Sequence, residues 1–197
     1  MKKAVRTLVS FLETNRGEND GRSEKEKKLL SEKAPKALLL TCPGSLPFLP
    51  ADRSALYTVE SLGAAVRGCE ATLDHGVRRL ELPLLIIVGH DGCGALDRAV
   101  KLSEGTDAEK AVYEAIAAGL DGHTRAGRKR VLSHIDGQVA CALERYGDRV
   151  KAGKLVVVGL YLDEAGTLLL TNYNGLKGRE ALAYGLPEVN ESFFLPS

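Results

Sequence analysis

Residues 84–90 read Leu-Leu-Ile-Ile-Val-Gly-His, an apolar run that stops at an imidazole without any alternation of polar and apolar positions. A strand of that composition has no face to offer water, so it belongs in a parallel sheet covered on both sides. That requirement alone calls for an α/β arrangement with helices above and below. The neighbouring segments agree. Ala37 to Thr41 is a second short apolar run, closed by Pro43-Gly44, and reads as a buried strand followed by a tight turn. KLVVVGLYL at 154–162 is a third strand, followed by the turn DEAG and another short strand, TLLLT.

Between these strands the period changes to that of a helix. Over 60–80, Leu62, Val66, Cys69, Leu73, Val77 and Leu80 fall on one face, which predicts a single long helix. Further helices are predicted at roughly 94–102 and 108–120, and at 128–146, where Leu132, Ile135, Val139, Ala142 and Tyr146 align. Strands alternating with helices predict a mostly parallel central sheet flanked by helices, with ligands beyond the carboxyl ends of the strands.

At 197 residues the chain suits one domain with an appendage. The expected division is an N-terminal helical arm and linker over 1–34, an α/β domain over 35–172, and a C-terminal extension over 173–197 that packs on this or a neighbouring subunit. The first twenty residues alternate apolar and polar positions and include Arg6 and Glu13, which predicts an amphipathic helix, not a signal peptide. No apolar run approaches the roughly 20 residues that span a bilayer, so the expectation is a cytoplasmic protein without membrane contact. With 27 basic against 26 acidic side chains there is no nucleic-acid footprint, and RAGRKR at 125–130 reads as a solvated helix start. The four cysteines are too sparse for a secreted disulfide scaffold; in a reducing compartment they are thiols, some of them potential ligands.

The chemistry gathers at two strand ends. Cys42 follows one predicted strand and His90 ends another, with Cys93 three residues on, where the chain turns into a helix. A helix N-terminus favours thiolate. Two thiolates and an imidazole make a zinc set with an open fourth position, and Gly89, Gly92 and Gly94 allow the sharp turn that aims both side chains at one ion. The alternative is that Cys42 is a small buried hydrophobe, since the set requires the two strands to be neighbours.

Several segments, in order, resemble the β-class carbonic anhydrases. EKKLLSEKAPKALLLTC is similar to the family's approach to its first ligand cysteine; EATLDHGVRRLELPLLIIVGHDGCGAL to its helix, strand and His-x-x-Cys segment; VACALERYGDRVKAGKLVVVGLYLDEAGTL to its late helix, Gly-Lys-Leu strand and closing turn. The resemblance implies Zn2+ at Cys42, His90 and Cys93 and reversible hydration of carbon dioxide to bicarbonate by zinc-bound hydroxide. It also implies a homodimer or larger homo-oligomer, embraced by the N-terminal helix, with zinc near the subunit interface.

The chain departs from the family at its first motif, Cys-x-Asp-x-Arg. Gly44 stands at the aspartate position and Leu46 at the arginine position. Removing both partners together avoids stranding one buried charge. ESLGAAV stands where the family carries Arg-Asn-Ala-Gly, so only Gly63 persists there. The expected pocket is then Gly44, Leu46, Phe48 and Gly63 with Leu49 nearby, an apolar lining that also suits carbonyl sulfide or carbon disulfide. Without an acceptor to orient the nucleophile, the expectation is weak or altered turnover; the alternative is a catalytically silent zinc scaffold. Asp52 and Arg53 are candidates to replace the lost pair, or Asp52 caps a following helix. Asp91 and Gly94 are expected just behind the ligands. Cys69 and Cys141 are expected in the core, and His75, His123 and His134 as ordinary surface or capping imidazoles. Tyr57 is read as lining the cleft, Tyr161 and Tyr173 as packing residues, and the Phe193–Leu195 cluster as docking on this subunit or its neighbour.

Overall fold

A computed structural model describes residues 34–49, 55–101, 106–118, 120 and 127–177, with single positions at 23, 180 and 194. The chain divides into two units, Met1–Ala34 and Pro35–Ser197; the expected N-terminal helix lies outside the described residues. The second unit is built on a six-stranded sheet of order β2-β1-β3-β4-β5-β6. Its strands are β1 (Ala37–Thr41), β2 (Leu56–Glu60), β3 (Leu84–His90), β4 (Val156–Leu162), β5 (Leu168–Tyr173) and β6 (Leu176–Lys177). The first four pair in parallel, while β5 and β6 add antiparallel at one edge. The mostly parallel α/β sheet expected from the unbroken apolar runs is what forms. β6 belongs to this sheet, and Phe194 is buried and bridges Leu170 of the same chain.

The helices are α1 (Glu70–Asp74), which continues as a π-turn over His75–Arg79, α2 (Gly94–Lys101), α3 (Asp107–Ala118) and α4 (Arg128–Lys151). The 60–80 helix is corrected. Residues 56–60 are strand, and Leu62–Ala64 form a 3-10 turn with φ of 64° at Gly63 and 56° at Ala64. Two successive left-handed residues cannot continue an α-helix. Leu62 and Leu80, the ends of the expected stripe, are exposed, whereas Val66, Leu73 and Val77 are buried. Leu-Tyr-Thr-Val, with its β-branched and aromatic residues, was the overlooked strand signal.

One helix organises the core. α4 turns Val131, Ile135, Val139, Ala142 and Tyr146 inward on one stripe, with Ile135, Val139, Ala142 and Tyr146 wholly buried; Leu132, expected to begin that stripe, is only partly buried beside it. It lies close to the sheet because β3 and β4 present Gly89 and Gly159 beneath Ile135. A methyl on Gly89 would stand 2.6 Å from Ile135 Cγ1, and one on Gly159 would come closer still to Cγ2. The opposite sheet face carries a smaller cluster of Leu39, Leu49, Val88 and Leu162. Among the described residues, no helix is long and apolar enough to cross a membrane.

Candidate metal centre

β1 is followed in sequence by β2 on one side of it, and the chain then returns to lay β3 on the other side. The crevice at the carboxyl ends of β1 and β3 is thus the point where strand order reverses, the general ligand position of an open parallel sheet. Thr41 pairs with Val88, so Cys42, one residue past β1, and His90, the last residue of β3, reach the same rim. Cys93 arrives from the turn before α2, where Gly92 takes φ 64°. All three are buried, and their ligand atoms lie within 4.8 Å of one another.

The donor set fits a tetrahedral zinc ion. The Cys42 and Cys93 sulfurs are 3.9 Å apart, against about 3.8 Å for two sulfurs each about 2.3 Å from a tetrahedral ion. Both cysteines are free thiols. His90 Nδ1 is 2.7 Å from the Asp91 carbonyl; a carbonyl only accepts, so Nδ1 carries a proton and the neutral ring keeps its lone pair on Nε2. That Nε2 is buried and makes no hydrogen bond. A buried acceptor without a donor is costly in a purely structural histidine and is what a ligand requires.

Of the two sulfurs, Cys42 is the one prepared for charge. The Cys93 thiol beside it, opposed by burial and aided by the His90 ring and the N–H groups of Gly44 and Gly63, holds Cys42 well below the ordinary thiol range. Cys93, sharing a proton with Cys42 and buried, is pushed up, while the N–H groups of Leu96 and Ala95 at the α2 N-terminus act in the opposite sense. The neighbouring Cys42 thiolate, opposed by burial, raises His90. Ser45, wholly buried, donates to the Cys42 carbonyl at 2.7 Å and so pins the turn.

Of the residues singled out in the sequence, Gly44 and Gly63 lie against this cluster. A methyl on Gly44 would stand 3.0 Å from His90 Cε1, and one on Gly63 would stand 3.7 Å from Ala95 Cβ, two residues past Cys93. Asp91 holds the His90 ring through its carbonyl, and its carboxylate accepts from the Tyr161 hydroxyl, whose ring lies under the Arg128 guanidinium. Gly94 opens α2. Leu46 and Leu49 pack with Leu39, Val88 and Leu162 on the second sheet face, and Phe48 is 55% exposed beside Gly166. Asp52, Arg53 and His123 lie outside the described residues. Cys69 and Cys141 are half-buried against the main core, and burial pushes the Cys69 thiol up to about 11. Tyr57 sits on β2 with its ring 6.0 Å from that of His75.

Sequence reasoning missed His134. It is no surface imidazole: on α4 it is 1% exposed, and its Nε2 lies 2.6 Å from the Gly63 carbonyl. Burial holds it below the ordinary histidine range, against the opposing effect of the Gly63 backbone. Its place beside Ile135 on the apolar stripe was the available signal.

A family model described as carbonic anhydrase matches residues 49–166, beginning beyond Cys42 and its altered turn. Carbonic anhydrase 2 of Mycobacterium tuberculosis is 29% identical over 140 residues, which cover 65% of this chain and 65% of that protein. The β-carbonic anhydrase CcaA superposes with a TM-score of 0.70 at 18% identity, covering 87% of this chain and 89% of that one. The Coccomyxa β-carbonic anhydrase, solved with acetazolamide, gives 0.67 at 20% identity, covering 89% and 91%. A tetrameric β-carbonic anhydrase of Sordaria macrospora gives 0.62 at 16%, covering 86% and 97%. These structural likenesses concern the fold.

Proposed function

Since this chain belongs to the β-class carbonic anhydrase family, with residues 49–166 matching the family model, we propose that Cys42, His90 and Cys93 bind one zinc ion and that the protein hydrates carbon dioxide reversibly at a low rate. The observation that carries the reading is the bare, buried Nε2 of His90 facing two sulfurs 3.9 Å apart. Zinc held there supplies Lewis acidity, which brings hydroxide within reach near neutral pH.

The chain's own residues do the rest of the work. The Asp91 carbonyl keeps the His90 tautomer, and the N–H groups of Gly44, Gly63, Ala95 and Leu96 support the thiolates. Gly44 and Leu46 provide neither a carboxylate to orient the nucleophile nor a guanidinium to hold one. A positioned acceptor contributes about two to four orders of magnitude, which is the deficit we assign to this site. That same absence favours a second reading, a catalytically silent zinc scaffold; hydrolysis of carbonyl sulfide or carbon disulfide is a variant of the first. We place the protein in a reducing compartment, the cytoplasm, where ligand thiols persist. There it acts as a homodimer or larger homo-oligomer, as the tetrameric Sordaria macrospora relatives suggest.

Metal analysis of purified protein should find one zinc per chain. Stopped-flow hydration at and above neutral pH should then give a slow rate above buffer that Cys42→Ser abolishes. A rate equal to buffer leaves the silent scaffold; absence of zinc from protein purified in its presence removes both readings.

A further inference from the structure

We infer that His134 and Gln138 are positioning residues of the metal centre, two side chains one turn apart on α4 that clamp the 61–66 loop between the end of β1, just before Cys42, and the start of α2, just after Cys93. The inference rests on the reading of Cys42 as a ligand. Loop 61–66 runs between the end of β1 and the start of α2, the two segments that carry Cys42 and Cys93. At its start the Ser61 N–H donates to the Thr41 carbonyl at 3.0 Å, next to Cys42. Its middle, Gly63 and Ala64, holds two consecutive left-handed conformations, which persist only where surrounding structure imposes them.

α4 imposes them at two points. His134 Nε2 is 2.6 Å from the Gly63 carbonyl, so the proton must be on Nε2 and the imidazole is the donor. Four residues on, Gln138 Oε1 accepts the Val66 N–H at 2.8 Å. Residues i and i+4 share a helix face, and both side chains are buried, at 1% and 4% exposure. The loop rests directly on the clamp, since a methyl on Gly63 would stand 3.0 Å from Ile116 Cδ1 and 3.6 Å from His134 Nε2. Held by its carbonyl, Gly63 lies against the start of α2, where a methyl on it would stand 3.7 Å from Ala95 Cβ, two residues past Cys93. A purely space-filling role does not account for His134. Its Nδ1 is buried with no partner, a cost that a leucine of similar volume would not incur, and what it does in return is bind Gly63.

The test uses cobalt(II) in place of zinc in the full chain, because sulfur-to-cobalt charge-transfer absorption reports the thiolates directly. His134→Leu removes the donor and should weaken cobalt affinity about 10–100-fold and shift that band. His134→Gln, whose amide nitrogen reaches the depth of Nε2, should restore both. His134→Asn is one bond too short, should behave like His134→Leu, and replaces it if the leucine variant does not fold. Wild-type affinity and band in the donorless variants, with only a lower melting temperature, would overturn the proposal, as would a glutamine variant no better than asparagine. Wild-type protein that binds no cobalt removes the metal reading instead. The Gly63 amide resonance of the metal-free protein then decides the clamp: it should move in the leucine or asparagine variant and hold in the glutamine variant, and no movement overturns it.

Discussion

The close approach of α4 to the sheet, which brings His134 within reach of Gly63, depends on what Ile135 finds beneath it. Gly159→Ala places a methyl against Ile135 Cγ2, closer than the 2.6 Å that separates a Gly89 methyl from Cγ1. Ordinary carbon contacts are about 3.5–4.0 Å, so the helix or the isoleucine must yield by about 1 Å. The backbone at Gly159 is not left-handed, and an alanine there gains about 0.4–1 kcal/mol through the unfolded chain. Overpacking costs about 1–3 kcal/mol and wins. Net of that gain the loss is about 0–2.6 kcal/mol, so melting temperature should fall by up to about 10 °C, at about 2–4 °C per kcal/mol for a domain of this size. Ile135→Ala, at a wholly buried position, costs about 2–5 kcal/mol alone, which added to the net loss of the first gives about 2–8 kcal/mol. Because the new methyl enters the space the isoleucine vacates, the double variant should cost no more than Ile135→Ala. Urea unfolding of all four proteins at one concentration measures the cycle. Additivity within about 0.5 kcal/mol would refute the claim that this contact sets the helix–sheet distance.

Zinc should slow alkylation of Cys42 and Cys93 but not of the half-buried Cys69 and Cys141, as mapped by mass spectrometry; equal protection of all four would point to global stabilisation. Gly44→Ala should weaken zinc binding in a chelator competition, because its methyl would stand 3.0 Å from His90 Cε1 and 3.2 Å from Nε2 while the Asp91 carbonyl holds the ring; unchanged affinity would mean that the exposed turn simply shifts. The Arg145 guanidinium, opposed by burial and aided by the Tyr146 hydroxyl, holds the Asp74 carboxyl below its ordinary value. Its stabilisation is therefore complete above the unfolded value of about 3.9 and lost as pH falls through the lower folded value. Asp74→Asn should be less stable than wild type near neutrality and converge with it in acid; a constant gap in unfolding midpoint would contradict this.

Where a segment's environment is uniform, its residues state their role without help. Ala37–Thr41 and Leu84–His90 are unbroken apolar runs and become central parallel strands, and the inward stripe of α4 follows its period. Between 56 and 80 two signals overlap: a helical spacing from Leu62 to Leu80, and a strand, Leu56–Glu60, followed by glycines with φ of 64° and 95° at Gly63 and Gly68. An α-helix forms only where those left-handed residues no longer interrupt it, over Glu70–Asp74, before the π-turn begins.

The three candidate ligand residue types, their strand ends and the presence of glycine and leucine at 44 and 46 were determined by the amino-acid order, since each is a local property of residue and neighbour. Only the tertiary structure decided that β1 lies beside β3, which turns two distant strand ends into one rim. It alone moved Leu46 into the opposite core and His134 behind Gly63. Those placements depend on which surfaces pack across long sequence separations, 71 residues in the case of His134 and Gly63, and a pairing over such a span leaves no periodic trace in either segment.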